Sequence, residues 1–134
     1  MKSCIVYFSQ TGNTKMFAEA ISRALDISDV YDMSTTEPST ISDYDLLILG
    51  TPVHGFNPSK ESISFVESLP ETEGKEAILF ITCRLWKGST FGKLKKELKK
   101  KGYSTGLCVD VKAKEFTEDD FAGAINKLKK EMKK

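Results

Sequence analysis

The sequence predicts a doubly wound α/β sandwich, with a five-stranded parallel sheet covered by helices on both faces, as a single domain over residues 1–134. Three observations carry this fold class. Nearly continuous apolar runs recur at residues 4–8, 46–49, 77–81 and 107–111. They are too short for helices and lack the alternation of a half-exposed sheet, as strands buried on both faces of a parallel sheet do. Between them, apolar residues return every three or four positions, the mark of amphipathic helices. Strand alternating with helix then implies parallel strands joined by crossovers of one hand.

Each element follows in chain order. The first strand, residues 4–8, gives way to a polar loop and a helix whose apolar face is Met16, Phe17, Ala20, Ile21, Ala24 and Leu25. A weaker strand at residues 29–33 precedes a Ser/Thr/Pro-rich connection, residues 34–42, read as holding no helix. The strand at 46–49 leads to a helix marked by Ile63, Val66 and Leu69, and the strand at 77–81 to one marked by Phe91, Leu94 and Leu98. Gly102 is placed to end the latter as a C-terminal cap. After the strand at 107–111, Phe121, Ile125, Leu128 and Met132 form a last helical face, opened by Thr117 as N-cap with Asp120 three residues on.

Composition excludes several classes. With 40% hydrophobic and 29% charged residues, the 134-residue chain is neither disordered nor too small for a core. No apolar run approaches the roughly 20 residues of a membrane span, and Ser9, Gln10 and Gly12 cut short the apolar start, so no signal peptide is read. Cys4, Cys83 and Cys108 form no paired motif. A reducing cytoplasm is the expected location, without a zinc or iron–sulfur site. The single histidine, His54, supports neither a metal centre nor a hydrolytic triad, and no catalytic residue is assigned.

In doubly wound sheets, ligands bind beyond the carboxyl ends of the strands where strand order reverses. This directs attention to the loops after the first, third and fourth strands. The first is Ser9, Gln10, Thr11, Gly12, Asn13 and Thr14. Three hydroxyls, two amides and a glycine at a helix N-terminus are equipment for a phosphate dianion. A capped strand-to-helix turn is the plainer reading. No lysine directly follows the glycine, so this is not the nucleoside-triphosphatase loop, and it is not GxGxxG.

Ser-x-Thr-Gly-Asn-Thr after a buried first strand resembles the FMN-phosphate loop of flavodoxins, and the likeness continues along the chain in the right order. It implies strand order 2-1-3-4-5 and, because the last strand carries no long insertion, the short-chain type. Residues 46–52 look like the third strand running into the first flavin-ring loop, formed by Thr51, Pro52, Val53, His54, Gly55, Phe56 and Asn57. Flavodoxins carry a glycine here whose peptide turns over on one-electron reduction, its carbonyl then accepting from flavin N5–H and stabilising the semiquinone. The resemblance assigns that switch to the peptide between Gly55 and Phe56. A plain turn, with Pro58 setting up the next helix, is the alternative. His54 either lies against the flavin or points to solvent.

The second ring loop is Thr82, Cys83, Arg84, Leu85, Trp86, Lys87 and Gly88. The resemblance implies an outer ring cover here, either Trp86 or, with the loop offset by one, Leu85; Trp86 packed on the next helix is the alternative. Cys83 is read either as a neighbour of the ring or as a buried inert thiol. The chain departs from the family in one respect: where flavodoxins commonly place carboxylates, it holds Phe56, Asn57, Arg84 and Lys87. Weaker repulsion of an anionic hydroquinone implies a less negative second reduction potential.

The formal net charge of +1 conceals a division. Residues 1–86 hold 6 Lys/Arg against 12 Asp/Glu, a net −6, whereas residues 87–134 hold 14 Lys against 7 Asp/Glu, a net +7. The lysines decorate the third and fourth helices and form either a solvated face or a docking surface for an acidic partner. Nucleic acid is not expected, because no aromatics interleave with the lysines. The resemblance implies an FMN-binding electron carrier, expected as a monomer, serving donor and acceptor proteins. An FMN-dependent NAD(P)H or quinone oxidoreductase on the same fold, and a flavin-free binding module, are the alternatives.

Overall fold

The computed structural model describes residues 2–54, 57–113 and 115–133. In chain order the elements are β1 (Ser3–Tyr7), α1 (Asn13–Leu25), β2 (Val30–Asp32), β3 (Leu46–His54), β4 (Asn57–Pro58), α2 (Lys60–Glu67), β5 (Lys75–Cys83), α3 (Thr90–Lys100), β6 (Tyr103–Lys112) and α4 (Ala122–Met132). Five strands pair in parallel in the order β2-β1-β3-β5-β6, and β4 adds a two-residue antiparallel pairing to β3. The fold is the flavodoxin-like parallel sandwich that the sequence predicts.

Period-two alternation divides each inner strand between two cores. Cys4, Val6, Leu47, Leu49, Ala77 and Leu79 face Phe65 and Val66 of α2 and Leu94 and Leu98 of α3. Ile5, Tyr7, Ile48, Ile78 and Phe80 face Phe17 and Ile21 of α1 and Leu128 of α4. On the second side the Phe17 ring stacks on Phe121, with centroids 4.5 Å apart, and meets Phe80 edge-on. The chain leaves β1 in one direction along the sheet and β3 in the other. Crossovers of one hand therefore put α1 on one face and α2 and α3 on the opposite one.

Three features differ from the sequence reading. The connection before β3 contains two 3₁₀ turns, Met33–Thr35 and Pro38–Asp43. Asp32 caps the first by accepting from the Ser34 N–H at 2.8 Å, and Pro38 opens the second. The last strand begins at Tyr103 rather than residue 107, and it holds one extra residue between the Ala77↔Thr105 and Leu79↔Cys108 pairs. It is an edge strand, only partly buried, so its first half carries polar residues that hide it from an apolar-run criterion. The final helix starts as a 3₁₀ turn, Glu118–Phe121, where Asp120 Oδ2 accepts from the Thr117 N–H at 2.7 Å. Gly102 ends α3 as expected, at φ +94. A β-carbon there would stand 1.7 Å from the Thr72 carbonyl oxygen, so the position admits only glycine.

Candidate functional site

The register aligns the ends of three strands. Tyr7, Gly50, Phe80 and Val109 lie in one row across β1, β3, β5 and β6, and the Phe8 N–H donates to the Gly50 carbonyl at 3.0 Å. The loops after β1, β3 and β5 therefore leave the sheet at one level. The crevice opens between β1 and β3, where strand order reverses.

The first loop turns through Gly12, whose φ of +95 suits a residue without a β-carbon. A β-carbon there would meet nothing within 4 Å, so the backbone is open on that side. Ser9 Oγ accepts from the Gly12 N–H at 3.0 Å and fixes the turn. No side chain caps α1, so the N–H groups of its first turn remain for an incoming anion, aided by the helix dipole. Gln10, Thr11 and Gly12 are exposed, Ser9 and Asn13 half-buried. Thr14 points inward, with its Oγ1 2.9 Å from Thr82 Oγ1 at the end of β5. The first and third loops are thus tied by a buried hydroxyl pair.

The second loop is a hairpin. Val53 pairs with Pro58 and His54 with Asn57, enclosing Gly55 and Phe56, which lie outside the described residues. The switch assigned to the Gly55–Phe56 peptide therefore has no structural description. Thr51, Ser59 and Ser62 form a closed, buried hydroxyl triangle, with oxygens 2.7–3.2 Å apart. Ser59 also caps α2 by accepting from the Ser62 N–H at 3.1 Å. Pro52 and Val53 are half-buried, and His54 is exposed. Asn57 Oδ1 accepts from Ser89 Oγ at 3.3 Å and from Lys93 Nζ, bonding this loop to the start of α3.

In the third loop, Leu85 is 69% and Trp86 62% exposed, well above the next large apolar side chain, Met132, at 37%. Two adjacent large apolar side chains are therefore accessible on the surface of this loop. Arg84 is exposed, Lys87 and Gly88 are half-buried, and Lys87 pairs with Asp110 at 3.7 Å. Cys83 is buried, with its thiol directed at the Val111 carbonyl at 3.8 Å. Burial pushes that thiol up and Asp110 adds to the rise, against the pull of Lys112 and Lys87. Of the two readings of Cys83, the geometry matches the buried, unreactive thiol.

The donor chemistry suits a phosphate at one end, and the exposed Leu85 and Trp86 suit a flat aromatic ring at the other. Donors gather at the α1 N-terminus, with Asp32 opposite Tyr7 at the end of β1, and the Thr14–Thr82 pair ties them to the loop that exposes Leu85 and Trp86. Among the described residues the ring loops hold no carboxylate, and no cluster could hold a metal ion. No described helix is long and apolar enough to cross a membrane. The sequence reading missed Ser59, Ser62, Ser89 and Lys93, which fix the loops from behind. Only the Ser59–Ser62 spacing, with a hydroxyl ahead of an apolar helical face, carries a local signal.

A flavodoxin-domain family profile matches residues 4–105. An uncharacterized protein of Methanocaldococcus jannaschii is 31% identical over 106 residues, covering 77% of this chain and 69% of that protein. Oxidised flavodoxin 1 from Bacillus cereus superposes with a TM-score of 0.74 at 24% identity, over 95% of this chain and 98% of that one. The flavodoxin of Streptococcus pneumoniae superposes with a TM-score of 0.77 at 22% identity, over 92% of each chain.

Proposed function

The chain belongs to the flavodoxin family, and on that premise we propose that it binds FMN and carries low-potential electrons one at a time between larger redox enzymes. The observation that carries this reading is the uncapped N-terminus of α1, tied by Thr14 and Thr82 to the loop that exposes Leu85 and Trp86. FMN, when bound, supplies the redox chemistry, and the protein supplies binding, burial and tuning.

Ser9, Thr11, Asn13 and Thr14, with the first-turn N–H groups, hold the phosphate. Thr14 can donate to the anion while accepting from Thr82, since a hydroxyl does both. Trp86 or Leu85 covers the outer ring face and excludes water. The peptide between Gly55 and Phe56 is assigned the response to one-electron reduction. Arg84 and Lys87, where carboxylates are common, make negative charge on the ring easier to accept.

Reconstitution with FMN and with riboflavin, followed by visible absorbance, tests the reading. FMN binds at least roughly 100-fold more tightly, the contribution of one or two charge-assisted hydrogen bonds to phosphate. Equal affinity for the two flavins, or no binding, overturns the site. Steady-state NAD(P)H oxidation by the reconstituted protein alone overturns the carrier role.

A further inference from the structure

We propose that α3 and the loop before it form the docking face for a redox partner whose own docking patch is rich in carboxylates. The inference deepens the electron-carrier reading and rests on it. From Arg84 to Lys112 the chain holds nine Lys/Arg and two Asp/Glu. Both carboxylates are already engaged, Asp110 with Lys87 and Glu97 with Lys100. Among the described residues, Arg84, Lys93, Lys95, Lys96, Lys99 and Lys112 are exposed and have no ion-pair partner.

Position turns this charge into a surface. Lys93 bonds to Asn57 of the second loop, so the first turn of α3 abuts the candidate site. Lys112 lies opposite Cys83 in the sheet register, at the end of β6 beside the third loop. Arg84, Lys93 and Lys112 thus stand at the same end of the sheet as Leu85 and Trp86, the two most exposed large apolar side chains among the described residues, and Lys99 continues the charge along α3 toward Lys75 and Tyr103 at the other end. An apolar centre beside a polar, charged rim is the anatomy of a protein interface. Charge there chiefly sets the association rate and excludes partners of like charge. The α4 lysines lie on the opposite face, with the α1 core between them and this patch.

The test uses the FMN-loaded, ¹⁵N-labelled chain titrated with three probes: soluble cytochrome b5, which is acidic, cytochrome c, which is basic, and a single-stranded DNA oligonucleotide. Cytochrome b5 is expected to shift amides in residues 84–100 and at Lys112, with affinity falling about tenfold between low and physiological salt. Lys96→Glu with Lys112→Glu weakens that binding about tenfold. Lys129→Glu with Lys130→Glu, the same charge change on α4, alters it less than about twofold.

Absence of shifts, equal binding of cytochrome c, an equal loss in the α4 pair, or tighter binding of the oligonucleotide overturns the proposal. The same titration on flavin-free protein separates the two readings. If FMN fails to bind while cytochrome b5 still marks this face, the docking surface stands and the carrier reading falls.

Discussion

At the scale of single residues, the consequential groups are hydroxyls and thiols whose partners lie far away in sequence. Thr82→Val removes the hydroxyl that shares a hydrogen bond with Thr14 and leaves Thr14 with one fewer partner. On the proposed role of Thr14 toward the phosphate, FMN affinity is expected to fall about tenfold and riboflavin affinity to stay within about twofold. Equal losses would assign Thr82 a purely structural role. Cys4 gives a pH prediction. Burial raises its thiol pKa from 9.0 to about 12, with a further rise from Asp29 against the opposing pull of Lys75. A raised pKa means that the folded state holds the proton while the unfolded chain releases it, so stability is complete below 9 and lost as pH climbs toward 12. Urea unfolding at pH 8.5 and 10.5 is expected to show a loss about 2 kcal/mol larger in the wild type than in Cys4→Ala.

At the scale of elements, most signals were local and therefore readable. The helical faces of Phe17 and Ile21, or of Leu94 and Leu98, follow from spacing, and the cap at Gly102 from residue type. Edge strand β6 was only half legible, because an edge position permits Ser104, Thr105 and Gly106 where an inner strand requires apolar residues. The Ser9–Thr14 loop was legible as a donor-rich strand-to-helix turn because its donors are contiguous. What holds the loops was not: Thr51 meets Ser59 and Ser62 only after β3 and α2 pack, and Asn57 meets Lys93 across two elements. Two stability measurements follow. Gly102→Ala forces a β-carbon onto the Thr72 carbonyl at positive φ and is expected to cost roughly 2–5 kcal/mol by chemical denaturation. Ser62→Ala opens the hydroxyl triangle and is expected to cost about 1–3 kcal/mol, the penalty of buried oxygens losing a partner.

At the scale of the molecule, charge is distributed against stability. On α3, Lys93–Lys96, Lys96–Lys99, Lys95–Lys99 and Lys96–Lys100 are like-charge pairs at helical spacing. Each costs about 0.2–0.5 kcal/mol at low salt. Raising sodium chloride from about 20 to 500 mM is therefore expected to increase unfolding free energy by about 1 kcal/mol, measured in urea. Lys96→Glu is expected to gain most of that increase at low salt and to flatten the dependence. If salt leaves stability unchanged, the lysines are too well separated by solvent to act as one patch.

By itself, the sequence determined the alternation of strands and helices, the two-core sandwich and the three loops at one edge of the sheet. Each of these follows from short-range periodicity and residue type, which a chain carries before it folds. Tertiary structure alone decided that Thr14 is joined to Thr82, that Cys83 is buried while Leu85 and Trp86 are exposed, and that Lys93 of α3 reaches the second loop while α4 packs on the opposite face. Those outcomes depend on strand register and on the face that each crossover takes, properties of packing between residues up to 68 positions apart. The basic third already evident in the sequence thus divides into two separate lysine-rich faces, α3 and α4, only once the chain is folded.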